Sequence, residues 1–197
     1  NTCIIRIINS TSNYSSPTLG PYSGTLTPIT ANLAQCKANW SMEYWRSLGD
    51  YNVSVYANLT LVGYNDTKYS SYYYNGLKAF NVNLSSIYFN SYPDQTVNSS
   101  NAYPLGIKNT GNLNINISLK GTDFFGSSDP SYIIGVQNIT YNETATGTFT
   151  ILTYNYTNIS SLFNLLPTQI RPLYWRGYAP LGTKAQQYNA NITFRGD

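Results

Sequence analysis

Taken two residues at a time, long stretches of this chain separate apolar side chains from polar ones. In Tyr51–Leu61 the residues Val53, Val55, Ala57, Leu59 and Leu61 alternate with Asn52, Ser54, Asn58 and Thr60. In Leu113–Leu119 the apolar set is Leu113, Ile115, Ile117 and Leu119, and in Phe80–Leu84 it is Phe80, Val82 and Leu84. A period of two is that of a β-strand with one face buried and one face wet. Turn signals lie between such segments. Asn75-Gly76 offers the two positive-φ residues of a type I′ turn, which predicts a hairpin from Tyr72–Tyr74 into Leu77–Leu84. Asn109–Asn112 predicts a second turn, and further strands are expected at 132–141, 146–157 and 187–195. The pattern is that of an all-β fold, an antiparallel sandwich or barrel, read here as an immunoglobulin-like sandwich. Its 197 residues suffice for one large sandwich or two small domains.

One stretch follows a different period. Ile29, Leu33, Cys36, Trp40, Tyr44 and Leu48 recur every three or four positions, with Thr27 as N-cap, Pro28 as first helical residue and Gly49 as stop. One short helix near 28–48 is therefore expected.

The polar positions carry a second regularity. Asn-x-Ser/Thr occurs at Asn9, Asn13, Asn39, Asn52, Asn58, Asn65, Asn83, Asn98, Asn116, Asn138, Asn142, Asn155, Asn158 and Asn191. Chance would give on the order of five such tripeptides at this composition. Asn52, Asn58, Asn83 and Asn116 fall on the polar side of their alternating segments, where an attached sugar would meet water. The expected cofactor content is none, apart from covalent N-glycans. A lattice of sequons implies export, and the chain opens on Asn1 rather than Met, as a product of signal-peptide removal would. Only 10% of residues are charged, so solubility must rest on neutral hydrogen-bonding groups or sugars. With eight carboxylates and no His, the surface charge changes little as pH falls, which suits an acidic exterior. The basic residues occur singly, which argues against a nucleic-acid partner, and no apolar run is long enough for a transmembrane segment.

Cys3–Ile8 does not alternate: Ile4, Ile5, Ile7 and Ile8 make both faces apolar apart from Arg6, as in a strand buried on both sides. It is followed by Ser10–Gly24, rich in Ser, Thr, Pro and Gly, which reads as a linker or loop. Such a strand either opens its own sandwich or is donated to the open sheet edge of a neighbour. Cys3 and Cys36 form one expected disulfide, within the chain or, if the strand is donated, between subunits.

Catalytic machinery is hard to assemble from this inventory. Without His, Ser-His-Asp and Cys-His systems are excluded, and no phosphate-cradling loop or metal cluster is present. The nearest carboxylate pair, Asp123 and Asp129, sits in a Gly/Ser-rich segment that reads as a turn with Asp capping local amides. Tyr69, Tyr72, Tyr73 and Tyr74 offer rings for sugar stacking, or strand residues whose alternate members pack inward. Arg195-Gly196-Asp197 spells an integrin-type tripeptide, too short to carry weight.

An apolar N-terminal strand, a Ser/Thr/Pro linker and a sequon-covered β-body together resemble the subunit of archaeal thread filaments, which is similar in architecture to bacterial chaperone–usher pilins. The resemblance implies an extracellular homopolymer on the cell surface, serving adhesion or biofilm formation. Residues 1–12 would be the donor tail and 13–197 the glycosylated body. Cys3, Ile4, Ile5, Arg6, Ile7 and Ile8 would complete the sandwich of the next subunit. The expectation is a structural protein and not an enzyme, with identical subunits as partners and surfaces or glycans as further ones. The alternative is a monomeric carbohydrate-binding adhesin or surface-layer-associated domain that uses the Tyr-rich hairpin.

Overall fold

The computed structural model describes residues 2–9, 19–30, 33–59, 64–101 and 103–197. The fold is all-β and antiparallel, and the chain divides into two compact units, Asn1–Gly76 and Leu77–Asp197. This division falls inside the expected body of 13–197, and the N-terminal strand belongs to the first unit. Among the described residues no helix is long and apolar enough to cross a membrane.

The first unit contains β1 (Thr2–Asn9), β2 (Leu19–Ser23), β3 (Thr25–Thr30), β4 (Leu33–Lys37), β5 (Gly49–Leu59) and β6 (Tyr64–Tyr74). Four of them form a sheet of order β2-β1-β5-β6, and β3 and β4 pair as a separate ribbon. The alternation expected over Tyr51–Leu61 is realised in β5 as far as the described residues run, Leu61 lying outside them; β5 pairs with β6 from Gly49↔Tyr74 to Leu59↔Tyr64 without a register shift. Cross-strand partners share a face, so Tyr51 meets Tyr72, ring stacked on ring at 5.5 Å, while Tyr74 packs edge-on to Tyr51 at 6.3 Å. Ile5, Ile7 and Tyr51 are the buried centre, with Tyr22, Cys36, Val53 and Val55 around them.

The helix expected near 28–48 is not formed. Residues in its first half are β3 and β4, paired through Leu26↔Cys36 and Pro28↔Ala34, and the segment from Ala38 to Leu48 is irregular. β-branched Thr25, Thr27, Ile29 and Thr30 favour a pleated strand, and the cross-strand partner fixes Cys36. The supposed apolar stripe is not a core stripe: Ile29, Leu33 and Leu48 are exposed, whereas Ala34 and Cys36 turn inward with period two. Leu19–Ser23, expected as part of a linker, is likewise a strand. The rest of that linker, Ser10–Thr18, lies outside the described residues.

The hairpin expected at Asn75-Gly76 is also absent. β6 ends at Tyr74, neither Asn75 nor Gly76 takes a positive φ, and the next strand, β7 (Phe80–Val82), pairs elsewhere. β6 pairs with β5 and ends its sheet, while the apolar Phe80 and Val82 pack against the larger core of the second unit. The Asn-Gly signal marks the boundary between units instead.

The second unit continues with β8 (Gln95–Asn98), β9 (Leu105–Asn109), β10 (Ile117–Gly121), β11 (Phe124–Gly126), β12 (Ile133–Ile134), β13 (Ile139–Asn142), β14 (Thr150–Ile151), β15 (Thr157–Asn158), β16 (Ile170–Ala179), β17 (Tyr188–Asn189) and β18 (Ile192–Gly196). One sheet runs β14-β13-β16-β9-β7, with β8 also on β16; a second runs β15-β10-β18 and a third β12-β11-β17. Strands were expected over 132–141, 146–157 and 187–195; each window holds shorter pieces, the first broken by a 3-10 turn at Val136–Asn138. The core between the sheets takes Ile107 from β9, Ile117 and Leu119 from β10, Tyr141 from β13, and Leu173 and Trp175 from β16.

The turn expected at Asn109–Asn112 closes on a buried side chain. The Asn109 amide donates to the carbonyls of Leu113 and Leu165, each at 2.8 Å, and its Oδ1 accepts from Gly111 N at 2.8 Å. Gly111 is required there, since a Cβ would fall 2.8 Å from Ala79 N and closer still to the Leu77 carbonyl. Two consequences are expected. Asn109→Ala strands two carbonyls and an amide, and urea unfolding should show the second unit weakened by about 2–4 kcal/mol. Cys36→Ala opens the Cys3–Cys36 loop and should destabilise the first unit by about 3 kcal/mol, followed through the fluorescence of Trp40 and Trp45.

Candidate functional surfaces on the first strand and the sequon asparagines

β1 is an interior strand of its sheet. One edge pairs with β5 continuously from Thr2↔Asn58 to Asn9↔Tyr51. The other pairs with β2 through Ile4↔Ser23, Ile5↔Tyr22 and Ile7↔Leu19, with an irregularity between Ile5 and Ile7. Cys3, Ile5, Ile7 and Asn9 are buried, while Arg6 and Ile8 are exposed and Ile4 is intermediate. The expectation that both faces of this strand are covered is therefore corrected: it alternates, with one face on the core and Ile8 in the open on the other. Cys3 and Cys36 form the disulfide within this chain, Cα to Cα 6.0 Å, tying β1 to β4. A Cβ on Gly24 would stand 2.6 Å from Cys3 Sγ and 2.7 Å from Lys37 O, so only glycine leaves room beside the bridge.

The sequon asparagines are not equivalent. Asn39, Asn52, Asn65, Asn83, Asn98, Asn155, Asn158 and Asn191 are exposed, Asn58, Asn116, Asn138 and Asn142 are half-buried, and Asn13 lies outside the described residues. Asn9 is 7% exposed, against the expectation that sequons face solvent. Asn83, Asn98 and Asn116 accept hydrogen bonds through Oδ1: Asn83 from Gly106 N at 2.6 Å, Asn98 from Arg176 Nε at 3.0 Å, and Asn116 from Asn164 N at 2.8 Å. Asn138 instead donates from Nδ2 to Gly135 O at 3.0 Å. Asn142 donates from Nδ2 to Thr144 Oγ1 at 3.0 Å and to Thr146 O at 2.9 Å, and its Oδ1 accepts from Glu143 N at 2.9 Å.

The tyrosines of β6 divide by face. Tyr72 and Tyr74 pack inward against Tyr51, while Tyr69 and Tyr73 are 79% and 55% exposed. The outward pair brackets Ser71, whose partner across the sheet is Asn52, so two rings and a sequon share one face.

The two carboxylates singled out by sequence are both engaged locally. Asp129 accepts from Ser131 N at 3.0 Å and Ser131 Oγ at 2.7 Å, the amide-capping turn expected of it. Asp123 reaches further, accepting from Val136 N at 2.8 Å and from the Tyr154 hydroxyl at 2.6 Å. Among the described residues no group of three or more His, Cys, Asp or Glu is placed to hold a metal. Arg195 and Asp197 bond each other at 3.0 Å, and the Arg195 guanidinium lies over the Tyr156 ring at 4.5 Å. The Asn142 loop and the Tyr156 stacking are features that sequence reading missed; the close sequence of Asn142, Thr144 and Thr146 was the available sign of the first.

No protein-family model matches this chain, and no curated protein or solved structure matches it either.

The perturbed titrations lie at the two ends of the pH scale. The Ser131 hydroxyl and amide hold the Asp129 carboxyl below its ordinary value. Hydrogen bonds to Asp123 and Asp94 raise the Tyr154 and Tyr178 hydroxyls, and burial raises Tyr72 and Tyr141. A depressed carboxylate adds stability that is lost as pH falls through its folded value. A raised phenol adds stability that is full below about 10 and lost above it. There is no His to titrate between them. The melting temperature should stay nearly level from about pH 5 to 9 and fall outside that window, as a calorimetric pH series would show.

Proposed function

We propose that this protein is a structural subunit of an extracellular filament, assembled head to tail by exchange of β1 and coated with N-linked sugars. The observation that carries the reading is the place of β1: a strand bonded on both edges, with Ile5 and Ile7 in the core. Departure of β1 would uncover the edges of β2 and β5 and the apolar floor between them, a site complementary to the same strand of another copy. The contacts of Cys3–Asn9 are then identical within a chain and between chains, as in domain swapping, and the linker alone separates the two states. Cys3 would fix whichever state forms by bonding Cys36 of its own chain or of the acceptor. The role is mechanical and adhesive rather than catalytic. Sugars on the outward asparagines support it by giving a nearly uncharged surface its hydration.

A second reading rests on Tyr69 and Tyr73, whose exposed rings on one face suit stacking on a sugar. It makes the protein a monomeric carbohydrate-binding adhesin.

The disulfide separates the two. Native material should show thin filaments by negative-stain microscopy. On SDS gels without reductant it should run as a ladder that collapses to one band when reductant is added. Filaments that give only the monomer band without reductant would overturn strand exchange. Discrete particles that bind a glycan array, with binding lost in Tyr69→Ala and Tyr73→Ala, would replace the filament by the adhesin.

A further inference from the structure

The sequons are sorted by how their amides are bonded. N-glycosylation joins Asn Nδ2 to the anomeric carbon of a lipid-phosphate-linked oligosaccharide. The carbon–oxygen bond to phosphate breaks, the lipid phosphate leaves with the electron pair, and one of the two Nδ2 protons is lost to the transferase. The modified amide keeps one N–H and its Oδ1 acceptor. A sequon whose Nδ2 gives both hydrogens to the fold cannot be modified without losing one of those bonds. A sequon bonded through Oδ1 loses nothing.

On that ground, and resting on the reading of an exported glycoprotein, we infer that Asn83, Asn98 and Asn116 carry glycans, and that Asn142 and Asn9 stay unmodified as structural side chains. Asn142 spends both Nδ2 hydrogens on Thr144 and Thr146, and its Oδ1 on Glu143 N. It is the internal brace of the loop after β13. Asn9 is 7% exposed, so a sugar there has no path to solvent. In contrast, the Oδ1 bonds of Asn83, Asn98 and Asn116 hold the amide while leaving Nδ2 uncommitted among the bonds of the described residues. At Asn83 a second feature agrees. Gly106 faces the amide, and a Cβ there would lie 3.3 Å from Nδ2 and 3.4 Å from Cγ, so glycine keeps the attachment atom uncrowded.

The order of events follows for Asn116. A transferase engages the sequon hydroxyl as well as the asparagine, and here that hydroxyl is Ser118, 1% exposed in β10 between β15 and β18. Asn116 is therefore modified before β10 is enclosed, whereas the Asn83 sequon, with Ser85 exposed, stays open after folding.

The test is site-by-site glycopeptide mass spectrometry of chymotryptic digests, on protein secreted from an N-glycosylating host. Sugar on Asn83, Asn98 and Asn116, with Asn9 and Asn142 bare, is the expected result. Occupancy at Asn142 or Asn9 matching that at Asn83 would overturn the sorting and leave the glycoprotein reading standing. Bare peptides at every sequon would overturn both. Ser85→Ala, which spares the Asn83 amide, should remove the mass of one glycan. Protein folded without sugar, then given transferase and lipid-linked oligosaccharide, should accept it at Asn83 and not at Asn116. Equal acceptance at the two sites would sink the proposed order.

Discussion

The hydrogen bonds along both edges of Thr2–Asn9 are the constraint on which the first unit rests. This strand is interior to its sheet. It lies between β2 and the long β5–β6 pair, and its side chains Ile5 and Ile7 are the floor on which Tyr51 and Tyr72 pack. Burying two isoleucines contributes roughly 3–6 kcal/mol, comparable with the net stability of a small domain. The Cys3–Cys36 bond adds a covalent tie from this strand to β4. Under the proposed exchange, the arrangement that stabilises the unit would also let β1 pair in a neighbouring copy, since what it needs there is main-chain pairing and an apolar slot.

The rest of the molecule meets a different constraint, that of building a surface and a turn inventory with few charges. Asparagine does three separate jobs. Asn109 is buried and satisfies two carbonyls and an amide, replacing a stretch of ladder that the turn cannot supply. Asn142 organises a loop through all of its polar atoms. Asn83 and Asn116 tie neighbouring backbone through Oδ1. Charged side chains are also used against rings: Lys120 and Arg195 both lie over Tyr156, and Arg176 lies 3.8 Å from the centre of the Phe149 ring. Such contacts depend less on carboxylate ionisation than salt bridges do.

What sequence made legible follows from which signals were strictly local. The period of two in Tyr51–Leu61 and Leu113–Leu119 became β5, Ile115 and β10, because alternation is enforced by the pleat wherever one face is buried. The Asn109–Asn112 turn was legible for the same reason. The Asn75-Gly76 hairpin failed because a turn signal permits pairing but does not choose the partner; Phe80 and Val82 gained more from the second unit's core. The helix near 28–48 failed because a spacing of three and four was read across a segment whose β-branched residues and disulfide partner favour a ribbon. The inequality of the sequons could not be read at all, since it depends on partners such as Asn83 and Gly106, or Asn116 and Asn164, brought together only by the fold.

If β1 makes the same contacts in its own chain as in a neighbour, burial and pairing cancel between the two states. The difference then lies in linker entropy, which favours the closed monomer, because intramolecular return is effectively a high local concentration. Long polymers therefore need a bias that non-covalent contact does not provide. An oxidised Cys3–Cys36 bond formed across the interface would supply it, since the exchanged strand could no longer return without reduction. On this view the order of oxidation and strand insertion decides the outcome: oxidation first yields a sealed monomer, and insertion first yields a locked filament. The disulfide is then less an aid to stability than the step that makes assembly irreversible.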